Sequence, residues 1–248
     1  MSVERENLPK KEEGPIPALE TLRREFSHPV PAEYQELAKT ADIAPTAPSY
    51  IFSVRDIIIE DNELIKQLES EAPLQIEEDD LTNMGRILKE HLKGDTLVDL
   101  GSGKQVFIPN LARAIGVKRY IGVDIVATES FSGDKDFEKA VLKDDMLLFA
   151  AKLPDNYGSF FNAGIEDYGG EMTQEIYGTK IGDAEVELHP SPYMEKLLKE
   201  IYRATRQGGL LILGADNTFP NPETVGFKRI DIKNSNQAPM STNVYIKE

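Results

Sequence analysis

The sequence has no cysteine, no tryptophan and only three histidines. Without cysteine there are no disulfides, no thiolate-bound metal and no cysteine nucleophile, which agrees with a reducing compartment. Three histidines leave little material for a metal centre, so none is expected. Long apolar runs are also missing: nowhere do the roughly 18 residues of a membrane-spanning helix run together. The opening MSVERENLPKKEEG holds no apolar segment of the secretory type. A cytoplasmic protein without membrane association is the expectation. Positive charge is scarce as well, with 28 Lys and Arg against 43 Asp and Glu and a formal net charge of −15. Sequence-independent capture of nucleic acid depends on neutralising phosphates, so nucleic acid is a disfavoured partner. A small molecule or a protein remains open as substrate, and the oligomeric state is not legible.

What is present suffices for a substantial core: 248 residues, 40% of them hydrophobic. Residues 1–48 mix charge with Pro9, Pro15, Pro17, Pro29, Pro31, Pro45 and Pro48, which interrupt any long helix. This reads as an arm, not a core, with short helical pieces at 18–26 and 32–39 that either wrap the main domain or stay mobile. Residues 49–248 read as the main domain, beginning with leading helices over 49–94. Ile58, Leu64, Ile65 and Leu68 suit a strand or turn running into a helix. Leu81, Met84, Ile87, Leu88 and Leu92 form an apolar stripe ended by Gly94.

From Thr96 the texture becomes short apolar runs, LVDLG, YIGVDI, SFFNAGI and LLILGA, separated by helical stretches. Helical candidates are 106–115, 137–141, 146–152 and 192–205. That alternation predicts a parallel sheet with crossover helices. FKRIDIKN and STNVYIKE, split by a polar loop, look like a terminal antiparallel hairpin. The expected fold is therefore α/β: a Rossmann-like, doubly wound, mostly parallel sheet with a C-terminal antiparallel hairpin and a partly helical N-terminal extension.

Chemistry concentrates where strands end. The run VDLGSGKQVFIPNLARAIG delivers Asp99, Gly101 and Gly103 directly into a helix. Glycine lets a ligand approach the backbone, a helix start supplies free N–H groups, and open α/β sheets bind ligands beyond the carboxyl ends of their strands. A dinucleotide fingerprint requires a third glycine where this chain has Val106. About 20 residues on, IGVDI ends with Asp124, and an acid there can accept both hydroxyls of a ribose.

The stretch from Asp99 to Asp124 resembles the first motif, and the acidic strand end that follows it, of class I S-adenosylmethionine-dependent methyltransferases; the resemblance covers residues 81–248. It implies S-adenosylmethionine as cofactor, with Gly101, Ser102 and Gly103 against its amino acid part and Asp99 orienting the loop and the ammonium group. Asp124 would hold the ribose, with Ile125 beside it. Asp145 with Met146, following LKD, fall at the family's adenine landmark: the carboxylate accepts from the amino group, the Met side chain covers a ring face and its N–H meets a ring nitrogen. Asp144 or Asp145 also suits a helix N-cap. Asn162 and Ala163 stand at the strand end facing cofactor and substrate, with Glu166, Asp167 and Tyr168 beyond. The Asn/Asp-Pro-Pro-Tyr/Phe signature with which amino-methylating nucleic-acid enzymes hold a flipped base is missing here.

No catalytic residue can be named, because methyl transfer from a sulfonium needs alignment and dryness more than an acid or base. Residues 169–190 form an insertion too long for a simple connection, with Tyr177 and His189 inside it. Gly208 and Gly209 suit a sharp reversal before the fifth strand. The leading expectation is a methyltransferase acting on a small molecule or protein side chain. The alternatives are a binding or scaffold protein on the same fold and a nicotinamide-dependent oxidoreductase, against which Val106 counts.

Overall fold

The computed structural model describes residues 17–40, 58–59, 61–70, 76–103, 106–162, 191–214, 219–231 and 243–248. Their helices are α1 (Pro17–Arg24), α2 (Ala32–Thr40), α3 (Asn62–Leu68), α4 (Asn83–Leu92), α5 (Phe107–Ala114), α6 (Met146–Lys152) and α7 (Pro192–Ala204), with short 3₁₀ turns at Glu78–Asp80 and Pro222–Val225. The strands are β1 (Thr96–Leu100), β2 (Arg119–Val123), β3 (Ser130–Gly133), β4 (Glu138–Leu142), β5 (Ser159–Asn162), β6 (Leu210–Leu213), β7 (Phe227–Arg229) and β8 (Asn243–Lys247).

They form one eight-stranded sheet of order β3-β4-β2-β1-β5-β6-β8-β7. β4, β2, β1, β5 and β6 run parallel. β8 enters antiparallel between β6 and β7, which makes the expected terminal hairpin an insertion at the sheet edge. Side chains alternate across this sheet as period-two geometry requires. Val98, Leu100, Ile121, Val123, Phe160 and Leu211 pack on α6 and α7, while Leu97, Tyr120, Phe161 and Ile212 pack on α3, α4 and α5. Apolar strands covered on both faces are what a doubly wound parallel sheet produces.

Local chemistry sets the helix starts. Ser191 caps α7 by accepting the Met194 N–H, with Pro192 at the first position. Thr82 caps α4 through the Gly85 N–H at 3.1 Å. The leading pair α3 and α4 packs against β1 as expected, through Leu68, Leu88, Leu92 and Leu97.

Two segments depart from expectation. Residues 137–141 were expected to be helical, yet Glu138–Leu142 is strand β4, paired to β2 through five positions. EKAVL is too short to gain much from helical periodicity, and the open edge of β2 offers it a full ladder with Ala140 and Leu142 buried on one face. Ahead of it lies β3, antiparallel to β4, which the polar SFSG did not announce. The turn between them is built by Asp134, whose Oδ1 accepts the Asp136 and Phe137 N–H groups at 2.9 and 3.0 Å. Within the expected arm, α1 and α2 join the core: Leu19, Leu22 and Tyr34 are buried, and Phe26 packs edge-on against Phe149.

Candidate functional site

Leu100, Val123 and Leu142 align across three parallel strands, Phe161 pairs with Asp99, and Asn162 pairs with Leu213. Gly101, Asp124, Asp145 and Asn162 therefore all leave one edge of the sheet. The chain winds outward from β1 to β2 and β4, then returns to begin the other half at β5 beside β1. This reversal of strand order, at carboxyl ends, is where such sheets open a crevice.

The bend after β1 is shaped by glycines. Gly101 and Gly103 have φ of 75° and 56°, a left-handed region that costs other residues energy. The N–H groups of Gly101 and Ser102 donate to the Val123 carbonyl at 2.8 and 3.1 Å, clamping the bend onto β2. Beneath it, Gly122 has no side chain, and a Cβ there would stand 2.8 Å from Ser102 Oγ and 3.1 Å from Ser102 Cβ. A Cβ on Gly103 would meet nothing within 4 Å among the described residues. The bend is thus tight on its sheet side, with no described atom packed against Gly103 on the other.

Asp124 ties this bend to the end of β2. Its Oδ2 accepts the Gly103 N–H at 2.9 Å and its Oδ1 accepts the Val126 N–H at 2.8 Å. A carboxylate offers about four lone-pair directions, so acceptor capacity remains for hydroxyl donors. The next two side chains, Ile125 at 44% and Val126 at 56% exposure, are the large hydrophobics left exposed among the described residues. An apolar surface beside a part-buried acid suits a ring that is flat and polar at its rim.

Asp99 is buried at 1% exposure, and its Oδ2 accepts the Tyr120 hydroxyl at 2.6 Å. Burial pushes the Tyr120 phenol well above its ordinary value, and the neighbouring Asp99 charge pushes it further. The phenol thus stays a donor. Asp145 is the N-cap of α6, accepting the Leu148 N–H at 3.0 Å, and it also accepts the Tyr193 hydroxyl at 3.0 Å. Burial raises the Asp145 carboxyl above the usual range, and those donors oppose the shift. Asp144 is instead paired with Lys152 at 2.6 Å, which separates the roles of the two adjacent acids. The Met146 side chain is 3% exposed and packs in the core, so the exposed apolar surface nearby is Ile125. Asn162, 3% exposed at the end of β5, has an amide nitrogen with no hydrogen-bond partner among the described residues. A buried donor left so is costly, and a ligand in the crevice supplies a reason for it.

Of the residues expected at the site, the fold brings Asp99, Gly101, Ser102, Gly103, Asp124, Ile125, Asp145 and Asn162 to one edge, while the Met146 side chain turns into the core. Ala163, Glu166, Asp167, Tyr168, Tyr177, His189 and the 169–190 insertion lie outside the described residues. Three residues that the sequence did not single out support the others: Gly122, Tyr120 and Tyr193. Gly122 carried a signal, an isolated glycine inside an apolar strand, which marks close backbone approach. The two tyrosines carried none, since their partners lie 21 and 48 residues away. Among the described residues no cluster of His, Asp and Glu could hold a metal ion, and no helix is long and apolar enough to cross a membrane.

No family model matches the chain, and no curated protein does. Among solved structures it is similar to the T. thermophilus 16S rRNA N2 G1207 methyltransferase in complex with AdoMet and guanosine, at 14% identity and a TM-score of 0.41, over 82% of this chain and 44% of that one. The N-methyltransferase NodS of Bradyrhizobium japonicum matches at 12% identity and 0.41, over 65% and 90%. The Burkholderia thailandensis 1,6-didemethyltoxoflavin-N1-methyltransferase, with bound 1,6-didemethyltoxoflavin and S-adenosylhomocysteine, matches at 14% and 0.38, over 83% and 94%. The chain spans less than half the length of the first of these.

Proposed function

We propose that residues 49–248 form an S-adenosylmethionine-binding domain and that the chain is a methyltransferase acting on a small molecule or a protein side chain. The observation that carries this reading is the Asp124 carboxylate bonded to the Gly103 N–H at the reversal of strand order. An acid and a positive-φ glycine bend from neighbouring strands there share one crevice edge. Their chemistry fits the group: Asp124 retains acceptors for ribose hydroxyls, Ile125 presents exposed apolar surface for a ring, and Asn162 holds a donor without a partner among the described residues. Asp145 with the Met146 N–H would read adenine, and Gly101, Ser102 and Gly103 would admit the amino acid end, with Asp99 steadied beneath them by Tyr120.

The bound cofactor would supply an electrophilic sulfonium methyl. The residues of this chain would align it and exclude water, which is where the rate of an in-line displacement is gained. No general base is assigned. The net charge of −15 favours a small-molecule or protein acceptor over a polyanion, and the absence of cysteine fits a cytoplasmic site of action.

Isothermal calorimetry tests the reading. S-adenosylhomocysteine should bind the full chain, and Asp124→Ala should weaken it by about tenfold to a hundredfold, since charge-assisted hydrogen bonds contribute about 1.5–3 kcal/mol. Absence of binding by folded protein would remove the proposal.

A further inference from the structure

Asp145 is held by a residue from a distant helix. Tyr193, in the first turn of α7 and 3% exposed, donates to Asp145 Oδ2 at 3.0 Å and accepts the Leu147 N–H at 3.2 Å through the same oxygen. A phenolic hydroxyl can do both at once, whereas no apolar side chain of the same shape can do either. The other oxygen of Asp145 accepts the Leu148 N–H. With both oxygens engaged, the carboxyl plane is fixed by two contacts of different origin, one from its own helix and one across 48 residues of chain. Asp144, its neighbour, takes Lys152 and not the tyrosine. The pairing is therefore specific to the acid that faces the proposed adenine position.

Burial works against an ionised Asp145, and the Tyr193 hydroxyl is one of the donors that oppose it, after the Leu148 N–H. Removing the phenol oxygen would free the carboxyl to rotate and leave burial less opposed. Either change weakens a carboxylate as an acceptor, which is what recognition of an exocyclic amino group needs.

Resting on the reading of this site given above, we propose that Tyr193 is a positioning and specificity-determining residue: it fixes the Asp145 carboxylate so that the site selects a 6-aminopurine over a 6-oxopurine. A site built to bond one exocyclic group rejects the analogue that lacks it, because a buried partner is then left unpaired.

The test compares S-adenosylhomocysteine with S-inosylhomocysteine by calorimetry on the full chain and its Y193F, D145N and Y193F/D145N variants. A carboxylate freed to rotate would forfeit the ligand's own bond to Asp145, so Y193F should weaken the adenosyl ligand by up to about tenfold while leaving the inosyl ligand, which makes no such bond, within about twofold. D145N should lose the preference too, and adding Y193F to it should change nothing further, because the tyrosine acts through the acid. Equal weakening of both ligands by Y193F, or additive effects in the double variant, overturns the proposal. Should Y193F fail to fold, retention of the wild-type preference by D145N overturns it independently. If the wild-type chain binds neither ligand, the reading of the site fails and this proposal with it. If the wild type binds but Y193F changes nothing, only the role of Tyr193 fails.

Discussion

Two glycines of the candidate site should fail for opposite reasons when each is changed to alanine. Gly103 has φ of 56° and no described atom within 4 Å of where a Cβ would go. The backbone penalty of a left-handed alanine is about 1–2 kcal/mol, which for a chain of this size lowers Tm by only a few degrees, at about 2–4 °C per kcal/mol. The new methyl, however, would enter the volume through which the proposed cofactor approaches. Binding of S-adenosylhomocysteine should fall by about tenfold or more, one contact-distance clash being enough to displace a ligand held by directional bonds. Gly122 has ordinary backbone geometry, and its new Cβ would lie 2.8 Å from Ser102 Oγ, 3.1 Å from Ser102 Cβ and 3.2 Å from Tyr120 Cε1. Ser102 is 4% exposed and Tyr120 only 1%, so neither has room to retreat. Overpacking of that kind costs about 1–3 kcal/mol, and the displaced bend should lose affinity in addition. Thermal unfolding and calorimetry on G103A and G122A separate the two effects. The reasoning is refuted if G103A binds within about twofold of wild type, or if G122A melts at the wild-type temperature, because each result contradicts the space the structure assigns.

Two further outcomes follow from the packing of the N-terminal helices. Leu22 is 4% exposed within the main core cluster, so Leu22→Ala should destabilise the whole domain by about 2–5 kcal/mol in urea unfolding; a change below about 1 kcal/mol would show that α1 is not part of the cooperative fold. Tyr157 is pushed up to about 12, chiefly by burial, with Glu25 adding to the shift and Arg119 opposing it. Because the folded-state value lies above the ordinary 10.0, its contribution is complete below pH 10 and is lost as pH rises toward 12, by about 2 kcal/mol. Stability of wild type should therefore decline more steeply than that of Tyr157→Phe across that window, and parallel declines would count against the buried phenol.

The strands were legible because parallel β-strands buried on both faces are short continuous apolar runs, and four of these, LVDLG, YIGVDI, SFFNAGI and LLILGA, became β1, β2, β5 and β6. Asp99, Gly101, Gly103 and Asp124 were legible for a related reason: each sits at or just past the end of such a run. Strand β4 was not, since EKAVL carries no strong local preference and is a strand only because β2 has an edge to satisfy. Strand β3 is more extreme, a polar tetrapeptide held by a turn and a partner. The N-terminal helices looked like an arm because proline counts report interruptions and say nothing of where the short pieces dock.

By itself, the sequence determined the periodicities, the glycine bend and the order in which acids follow strands, because these depend on the covalent neighbours of each residue. It determined that Asp124 would follow β2 and that Asp145 was suited to cap a helix. Tertiary structure alone decided that Tyr120 would hold Asp99, that Tyr193 would hold Asp145, and that β8 would slip between β6 and β7. Those pairings join residues far apart along the chain, and their energies exist only once the packed sheet has fixed the distances between them.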